Sequence, residues 1–450
     1  MAITISQIGD LLARFGNEIV NDQVNLATPF VGNGHIQKIK HTHEQGIVRI
    51  RASDGLASTG QLSDGAGLPD GENVSFQSGS YLPKIFFTRL WIPRGAAHLA
   101  AGGRDGVRLV REELEVAGRQ LGKVLGQAVF RAPICTFVDQ AGGVVPAAGA
   151  TRAVVAGDED FLVTTIAGLY EGQTVQIVDN AANLLTATVK GINYNLNETF
   201  SGTAVTYTGA AEFGVFGIQL TFTGGATVGE AGVDANNELD AGAAANLGTL
   251  SVPNRGPEST TPSTLQANDP MVSLSQAYGN GALYGITNSA YTGTTKTVNG
   301  PLTGAVMRDV STAIKRRAGY GWHMLVMNSN MIQNYFENVV IATGPSSPAL
   351  NYLPGQTTKD IDGGATVPTF QGMPIVIDEN VDDHLMYYFN KDDIKLAEFK
   401  EFSPDQDSSN AHGMVDRSRL IYDTQIWGMY NMRVQRRNSG GQLTGLQQNL

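Results

Sequence analysis

The longest regular pattern in the chain lies between Gly103 and Arg131. Apolar residues recur there at Val107, Val110, Leu114, Ala117, Leu121, Val124 and Ala128, in alternating steps of three and four. That is the repeat of one stripe on a helix, and a strand cannot produce it. Arg108, Arg111, Glu112, Glu115, Arg119 and Lys123 fill the opposite side, with Arg111–Glu115 and Glu115–Arg119 at i,i+4 spacing. At about 1.5 Å per residue the rod spans roughly 40 Å. Asp105 can cap its start, and Pro133 stops it.

Shorter patterns surround this helix. Ser6–Val20 places Ile8, Leu11, Leu12, Phe15 and Ile19 on one side, which predicts a short amphipathic helix capped by Ser6. Asn21–His43 keeps no period and reads as an extended arm. Gly46–Ser53 alternates as a strand, apolar alternation returns at Val74 and Phe76, and Ile85–Ile92 is strongly β-prone. Between the strands, Asp54–Glu72 is a polar Gly/Ser/Asp loop, so the segment predicts a projecting hairpin. Its polar residues Asp54, Ser63, Asp64, Asp70 and Glu72 are candidates for contact with a neighbour; a loop that touches nothing is the open alternative.

After the long helix the pattern changes. Phe161–Ile166, Thr174–Asp179, Leu184–Lys190, Ala204–Thr208 and Ile218–Thr223 are short alternating runs separated by Gly, Asn and Asp. They predict a small barrel or sandwich. Gly224–Thr264 reads as linker. Pro301–Arg317 predicts a helix with proline at its start and basic residues at its end. Trp322–Met327 is a buried strand, Ser329–Val340 a second helix, and Gly344–Pro368 a loop. Thr369–Ile377 is a short strand with a turn in it, Leu385–Phe389 and Ile394–Phe402 are strands again, and a polar loop follows at Ser403–Asp416. Leu420–Val434, apolar on both faces, is either central in a sheet or at an interface. Asn438–Leu450 reads as a polar tail.

Composition narrows the function classes. With 450 residues the chain can hold two or three domains. Only 16% of residues are charged, which leaves much weakly polar surface and favours burial in an assembly. The net charge of −11 argues against tight binding to nucleic acid or an anionic membrane. Residues 151–264 hold twelve acidic and three basic side chains, a net of −9, so most of the acidity belongs to the strand-rich module. A single cysteine, Cys135, excludes an intrachain disulfide and fits a reducing compartment. The amino terminus lacks a signal-peptide pattern, and no run of eighteen apolar residues exists, so a soluble protein without a membrane span is expected.

Motifs for chemistry are sparse. Gly279-x-Gly281-x-x-x-Gly285 misses the dinucleotide spacing by one residue. Asp405-x-Asp407-x-Ser409 begins like a calcium loop but has Asn410 where glycine is required. His41-x-His43 could ligate a metal from a strand face, yet no carboxylate or thiol cluster accompanies it. Asp382-Asp383-His384 reads as a solvated loop. Lys315, Arg316 and Arg317, with Arg433, Arg436 and Arg437, form the basic clusters; they can meet phosphates or a neighbouring subunit, or be solvated. No catalytic residue, cofactor or metal site is assigned, and no enzyme is expected.

Arm, polar-tipped hairpin, long helix and a mixed second half ending in a long apolar strand resemble, in this order, the major capsid proteins of tailed bacteriophages, the HK97-like fold. The resemblance rests on Val107–Phe130 as spine helix and residues 47–91 as extended loop. It also rests on IKRRAGYG leading into HMLVMNSNMIQNYF, on TFQGMPIVIDENV, and on the closing YDTQIWGMYNMRVQRR. It covers most of the chain outside 150–264. It implies an α+β fold with peripheral (P) and axial (A) domains. The divisions are a helix and arm at 1–45, an extended loop at 46–95, and spine helix and P-domain start at 96–149. An inserted acidic all-β domain follows at 150–264, then the remaining P- and A-domains at 265–438 and a tail at 439–450.

The resemblance also implies hexamers and pentamers closing an icosahedral shell around double-stranded DNA, in a virion assembled in the bacterial host cytoplasm. Partners implied are the chain itself, a portal, decoration proteins and non-specifically packaged DNA. The loop 54–72 contains no lysine, so the lysine–asparagine cross-link of some family members is not carried over. The chain runs from Met1 directly into its arm, which leads us to expect a separate scaffolding protein. An encapsulin-like nanocompartment shell, an adhesive tail protein and a carbohydrate-active enzyme with a β accessory module are the rival readings.

Overall fold

The computed structural model describes residues 17–41, 45–51, 76–93, 104–130, 135–138, 151–167, 169–178, 184–204, 215–224, 226–229, 232–233, 239–240, 249–251, 271–279, 281–286, 291–341, 369–404, 414–416 and 421–447. The first elements among the described residues are α1 (Asn17–Ala27) and the single turn α2 (Pro29–Gly32), then β1 (Gln37–Lys40), β2 (Gly46–Arg51), β3 (Phe76–Tyr81) and β4 (Lys84–Pro93). The long helix α3 is Arg104–Phe130. A strand-rich stretch follows, comprising β5 (Cys135–Val138), β6 (Thr151–Val154), β7 (Gly157–Val163), β8 (Thr174–Val178), β9 (Leu184–Leu196) and β10 (Phe216–Phe222). It continues through β11 (Ala226–Gly229), β12 (Gly232–Val233), β13 (Leu239–Asp240) and β14 (Thr249–Ser251).

The second half holds α4 (Leu274–Tyr278), β15 (Thr294–Pro301), α5 (Gly304–Ala318), β16 (Met324–Met327) and α6 (Ser329–Asn334). Then come β17 (Thr369–Phe370), β18 (Met373–Ile377), β19 (Met386–Phe389) and β20 (Ile394–Pro404). The last strands are β21 (Met414–Asp416), β22 (Ile421–Val434) and β23 (Gly441–Gln447).

Two sheets and a barrel organise these elements. In the five-stranded sheet β22 is central, with β20 and β21 along one edge and β4 along the other, and β1 extends the sheet beyond β20. The six-stranded sheet runs β15-β23-β19-β16-β18-β17. Between α3 and this second sheet in sequence lies a closed barrel, β10-β7-β5-β14-β8-β9, filled by Phe161, Val163, Val175, Ile177, Val189, Phe216, Ile218, Leu220 and Phe222. Alternation made these strands: along β10, from Ile218 to Phe222, buried residues alternate with partly exposed ones, as period two demands.

The spine helix behaves as its stripe requires. Leu114, Ala117 and Leu121 are buried, while Arg111, Glu112, Arg119 and Lys123 are exposed. Arg111 reaches Glu115 at 2.9 Å. Val124 touches both the main core and the barrel core. The side chains of Val107 and Val110 lie outside the described residues. In the last turn every side chain from Leu125 to Phe130 is buried, so the rod is half wet at its middle and dry at its end.

Several expectations are corrected. Most of the helix expected at Ser6–Val20 lies outside the described residues, but the arm expected to be extended from Asn21 holds the helix Asn17–Ala27, whose Val20 and Val24 are fully buried against α3 and β20. The arm is therefore partly helical, and its β1 pairs in parallel with β20. The proposed Ser6 cap lies outside the described residues. Ile85–Ile92 belongs to the five-stranded sheet through β22, while the hairpin proper is β2 with β3. The supposed linker 224–264 supplies β14, which closes the barrel, and the barrel's first strand, β5, lies ahead of residue 150.

Pro301 ends a strand, and helix α5 starts after Thr303, whose hydroxyl accepts the Val306 N–H. The second helix is α-helical only to Asn334, then continues as a π-helix over Tyr335–Ile341. The largest correction is at the carboxyl end. The expected polar tail is β23, an interior strand between β15 and β19, with Leu443 and Leu446 fully buried.

Glycine decides one close approach. At Gly118 of α3, α1 lies so near that a Cβ would sit 2.7 Å from the Gln23 Cβ and 3.0 Å from the Val20 carbonyl oxygen. The helix crossing depends on the absent side chain. Gly118→Leu is expected to push α1 off the spine and lower stability by roughly 1–3 kcal/mol despite its better helix propensity. Urea unfolding of the purified chain would measure the loss; an unchanged midpoint would show that the arm helix does not need this contact.

Candidate functional site

The hairpin stands on a buried root and shows apolar side chains outward. Along β2 alternate residues Val48 and Ile50 are buried while Ile47 is exposed. Tyr81, at the end of β3, is buried and packs at 5.4 Å on Tyr284, edge-on to His41 at 6.0 Å, with its hydroxyl 3.1 Å from His41 Nε2. His41 stacks on Phe399 at 5.0 Å. His41 is thus part of an aromatic root; His43 lies outside the described residues. Among the described residues no group of three His, Cys, Asp or Glu side chains is placed to hold a metal.

Above that root, Ile47 is 58% exposed, Phe76 68% and Leu82 58%. On β4, Ile85 and Phe87 point outward while Phe86 between them is buried. Antiparallel register sets Ile85 opposite Met429 and Phe87 opposite Trp427, so these four share one face of the five-stranded sheet. Lys400 Nζ sits 3.1 Å above the Trp427 ring. Hairpin and sheet face together make an apolar surface on a weakly charged protein. The loop residues Asp54, Ser63, Asp64, Asp70 and Glu72 lie outside the described residues, as does 405–413 with the calcium-like motif.

The basic residues separate into two groups. Lys315 and Arg316 are exposed at the carboxyl end of α5, where Gly319 (φ 77°) terminates the helix. Arg317 is turned back to the Gly293 carbonyl at 2.8 Å and the Thr292 hydroxyl at 2.7 Å. Arg436 is exposed and donates to the Tyr320 hydroxyl at 3.2 Å; Arg433 is half-buried.

Arg437 corrects the expectation of a phosphate or subunit contact: it is 1% exposed. Its Nε donates to Ala277 O at 2.7 Å, Nη1 to Gly281 O at 2.6 Å and Tyr291 O at 3.1 Å, and Nη2 to Gln276 O at 2.8 Å and to Gly279 O. Five N–H donors thus meet five backbone carbonyls. The glycine run that misses the dinucleotide spacing is a carbonyl cradle for this guanidinium, the reverse polarity of a phosphate loop. Tyr291 and Tyr284 finish the knot, their hydroxyls donating to Val434 O at 2.6 Å and to Met432 O.

Two buried carboxylates are visible only in the fold. Asp378 is 1% exposed and accepts the Phe30 N–H at 3.1 Å, the Asn380 N–H at 2.9 Å and Asn380 Nδ2 at 2.8 Å, tying the arm to the end of β18. Burial raises its pKa, opposed by those hydrogen bonds and by His35. The Asp-x-Asn spacing after an apolar strand was the only signal for it in the sequence. The second lies in Asp382-Asp383-His384. Expected as a solvated loop, it holds two buried side chains: Asp383 is 3% exposed and His384 7%.

No protein-family model matches the chain, and no curated protein sequence matches it. Solved structures do align with it. The capsid asymmetric unit of cyanophage A-1(L) aligns at 11% identity over 94% of this chain and 93% of that one, with a TM-score of 0.48. A chain of Mycobacterium phage Adephagia aligns at 10% identity, covering 94% and 90%, with a TM-score of 0.41. The SrpI encapsulin of Synechococcus elongatus aligns at 8% identity, covering 94% and 89%, with a TM-score of 0.42. In its own elements the chain has an α+β arrangement of arm, hairpin, long helix and two sheets, with the closed barrel following the long helix in sequence.

Two outcomes follow. Arg437→Lys leaves at least two of five buried carbonyls without a donor and is expected to cost roughly 2–5 kcal/mol, read as a fall in thermal midpoint. For Asp378 the raised folded pKa means the folded state holds the proton more tightly than the unfolded chain. Its contribution to stability is therefore fully present below the ordinary carboxyl value of 3.8 and is lost as pH rises through the raised value. Asp378→Asn should gain on the wild type as pH rises from about 4 to about 7 in urea unfolding; a constant gap between the two proteins across that range would refute this linkage.

Proposed function

We propose that the chain is the structural subunit of a closed icosahedral shell of the tailed-phage kind, assembling through hexamers and pentamers around double-stranded DNA. One observation carries the reading. Ile47 and Phe76 on the hairpin, Leu82 just after it, and Ile85 and Phe87 on the sheet face are each about half or more exposed. Exposed apolar area of this extent belongs on an interface. Copies of the same chain are the economical partner, because a hairpin that projects from one subunit and a flat apolar sheet face can serve each other around a ring.

The role is mechanical rather than catalytic. Its net charge of −11 suits a container that encloses DNA without gripping it. Scaffolding, portal and decoration proteins are the further partners of this reading, the host cytoplasm its place of assembly and the virion its destination. The loop residues Asp54, Ser63, Asp64, Asp70 and Glu72 would lie across a neighbour. Lys315 and Arg316, exposed at the end of α5, would meet a subunit or a phosphate. Among the described residues no helix is long and apolar enough to cross a membrane.

The test is assembly itself. Purified wild-type chain should elute as capsomers or shells and show closed particles in negative stain. Ile85→Asp with Phe87→Asp should leave a folded chain, by circular dichroism, that no longer closes particles. A wild type that stays monomeric with a hydrolytic activity would favour the enzyme reading. Particles that co-purify with a protein cargo in place of DNA would favour the nanocompartment.

A further inference from the structure

The arm passes from α2 into β1 through one exposed turn, Asn33-Gly34. Both ends of that turn are fixed. Before it Phe30 is fully buried, and after it Ile36 is 1% exposed. β1 then pairs with β20 at four successive positions, from Gln37 opposite Lys395 to Lys40 opposite Glu398. The turn itself is held loosely. The Asn33 N–H reaches Pro29 O at 3.0 Å, but the Gly34 N–H reaches Val31 O only at 3.4 Å. Gly34 has φ 70°, and a Cβ built on it would meet nothing within 4 Å.

An asparagine followed by glycine is open to ring closure on itself, because glycine has no side chain to crowd the attacking nitrogen. The Gly34 nitrogen gives its proton to base and attacks Asn33 Cγ. A C–N bond forms, the Cγ–Nδ2 bond breaks, and Nδ2 leaves as ammonia. Water then opens the five-membered imide. Addition at Cγ restores the ordinary main chain with aspartate at position 33. Addition at the main-chain carbonyl carbon leaves Gly34 joined through the side chain, an isoaspartate. The sum is amide plus water giving carboxylate plus ammonium, with no oxidant or reductant. Ring closure needs Asn33 to swing away from its ψ of 8°, and the bond given up is the long one from the Gly34 N–H to Val31 O. Two other Asn-Gly pairs occur in the sequence. Gly300 of Asn299-Gly300 is buried within β15, in register with Leu446 of β23, so its backbone is fixed. Asn280 lies outside the described residues.

We propose that Asn33-Gly34 is a site of spontaneous deamidation, and that its isoaspartate product weakens the arm's hold on the five-stranded sheet as the protein ages. Isoaspartate adds one carbon to the main chain, about 1.5 Å of path, between two ends that the fold fixes. Phe30 is walled in and its N–H is bound by Asp378, so the surplus is taken up on the side of Ile36 and β1. β1 is a four-residue edge strand bonded to β20 alone among the described residues, which makes it the weaker end. The reaction does not rest on the shell-forming role and would run in a free subunit.

Storage of the full-length chain in mild base tests it. The tryptic peptide 15–38 carries Asn33 together with Asn21 and Asn25 of α1, which bond to Phe402 O and Lys38 Nζ and serve as internal references. At about pH 8.5 and about 37 °C, a gain of about 1 Da should arise at Asn33 at least about ten-fold faster than at Asn21 or Asn25, split between two products of different retention. In the stored protein the amides of 37–40 should exchange with deuterium about three-fold faster than in fresh protein, while those of α3 stay unchanged. Asn33→Gln should show neither the mass gain nor the faster exchange. Conversion at Asn33 no faster than at Asn21 and Asn25 overturns the proposal without recourse to the variant. So does conversion that leaves 37–40 exchanging as before, or equal loosening in stored Asn33→Gln. A chain that forms no particles but ages in this way would sink the shell reading and leave the deamidation site standing.

Discussion

The fold depends on how one aromatic ring is walled in. Phe30, in the single turn after the arm helix, packs 5.3 Å from Phe130 at the end of the spine and 4.9 Å from Phe389 on β19. Its own N–H is held by Asp378 at the end of β18. Tyr387 completes the wall, stacked on Phe130 at 6.1 Å with its hydroxyl on the Phe130 carbonyl at 3.1 Å. Arm, spine and second sheet share this contact, so none can move without opening a cavity under the others. That explains why the last turn of α3 is dry on all sides, although its middle obeys a one-sided stripe.

From that anchor the molecule divides its polar and apolar duties unusually. Inside, it spends polar side chains on backbone: Arg437 gathers five carbonyls, Asp378 two N–H groups, and the His384 ring lies between two carbonyls. Such bonds specify geometry, since a buried polar group tolerates no substitute arrangement. Outside, the hairpin and one sheet face keep large apolar residues. A chain rigid within and apolar on one outer face fits the proposed shell role, in which each copy must present the same surface at the same angle.

The periodic elements were legible in the sequence. The spine helix was found within a residue at each end, and β22 and the strand runs at Thr174 and Ile218 within two, because their patterns persist long enough to outvote local noise; the run at Leu184 was found at its start but continues six residues past Lys190. The turn at Gln371-Gly372, both at positive φ, was readable as a kink in TFQGMPIVI. The barrel's closure was not, since β14 is three residues long and its identity comes from partners in β5 and β8. Nor was β23: Gly441–Gln447 is polar in composition, but a strand flanked on both edges is made by its neighbours' hydrogen bonds more than by its own propensity.

Charged residues divided the same way. A carboxylate, imidazole or guanidinium is soluble by default, so Arg437, Asp383 and His384 read as surface groups. Only the tertiary structure brings their partners, which lie from 53 to 220 residues away, and without those partners burial would be prohibitive. The sequence by itself determined where helices and long strands form and which face of each is apolar, because those follow from the period of a few adjacent side chains. The tertiary structure decided which polar groups go inside and which apolar ones stay out, because that choice is made by contacts between segments that no local pattern records.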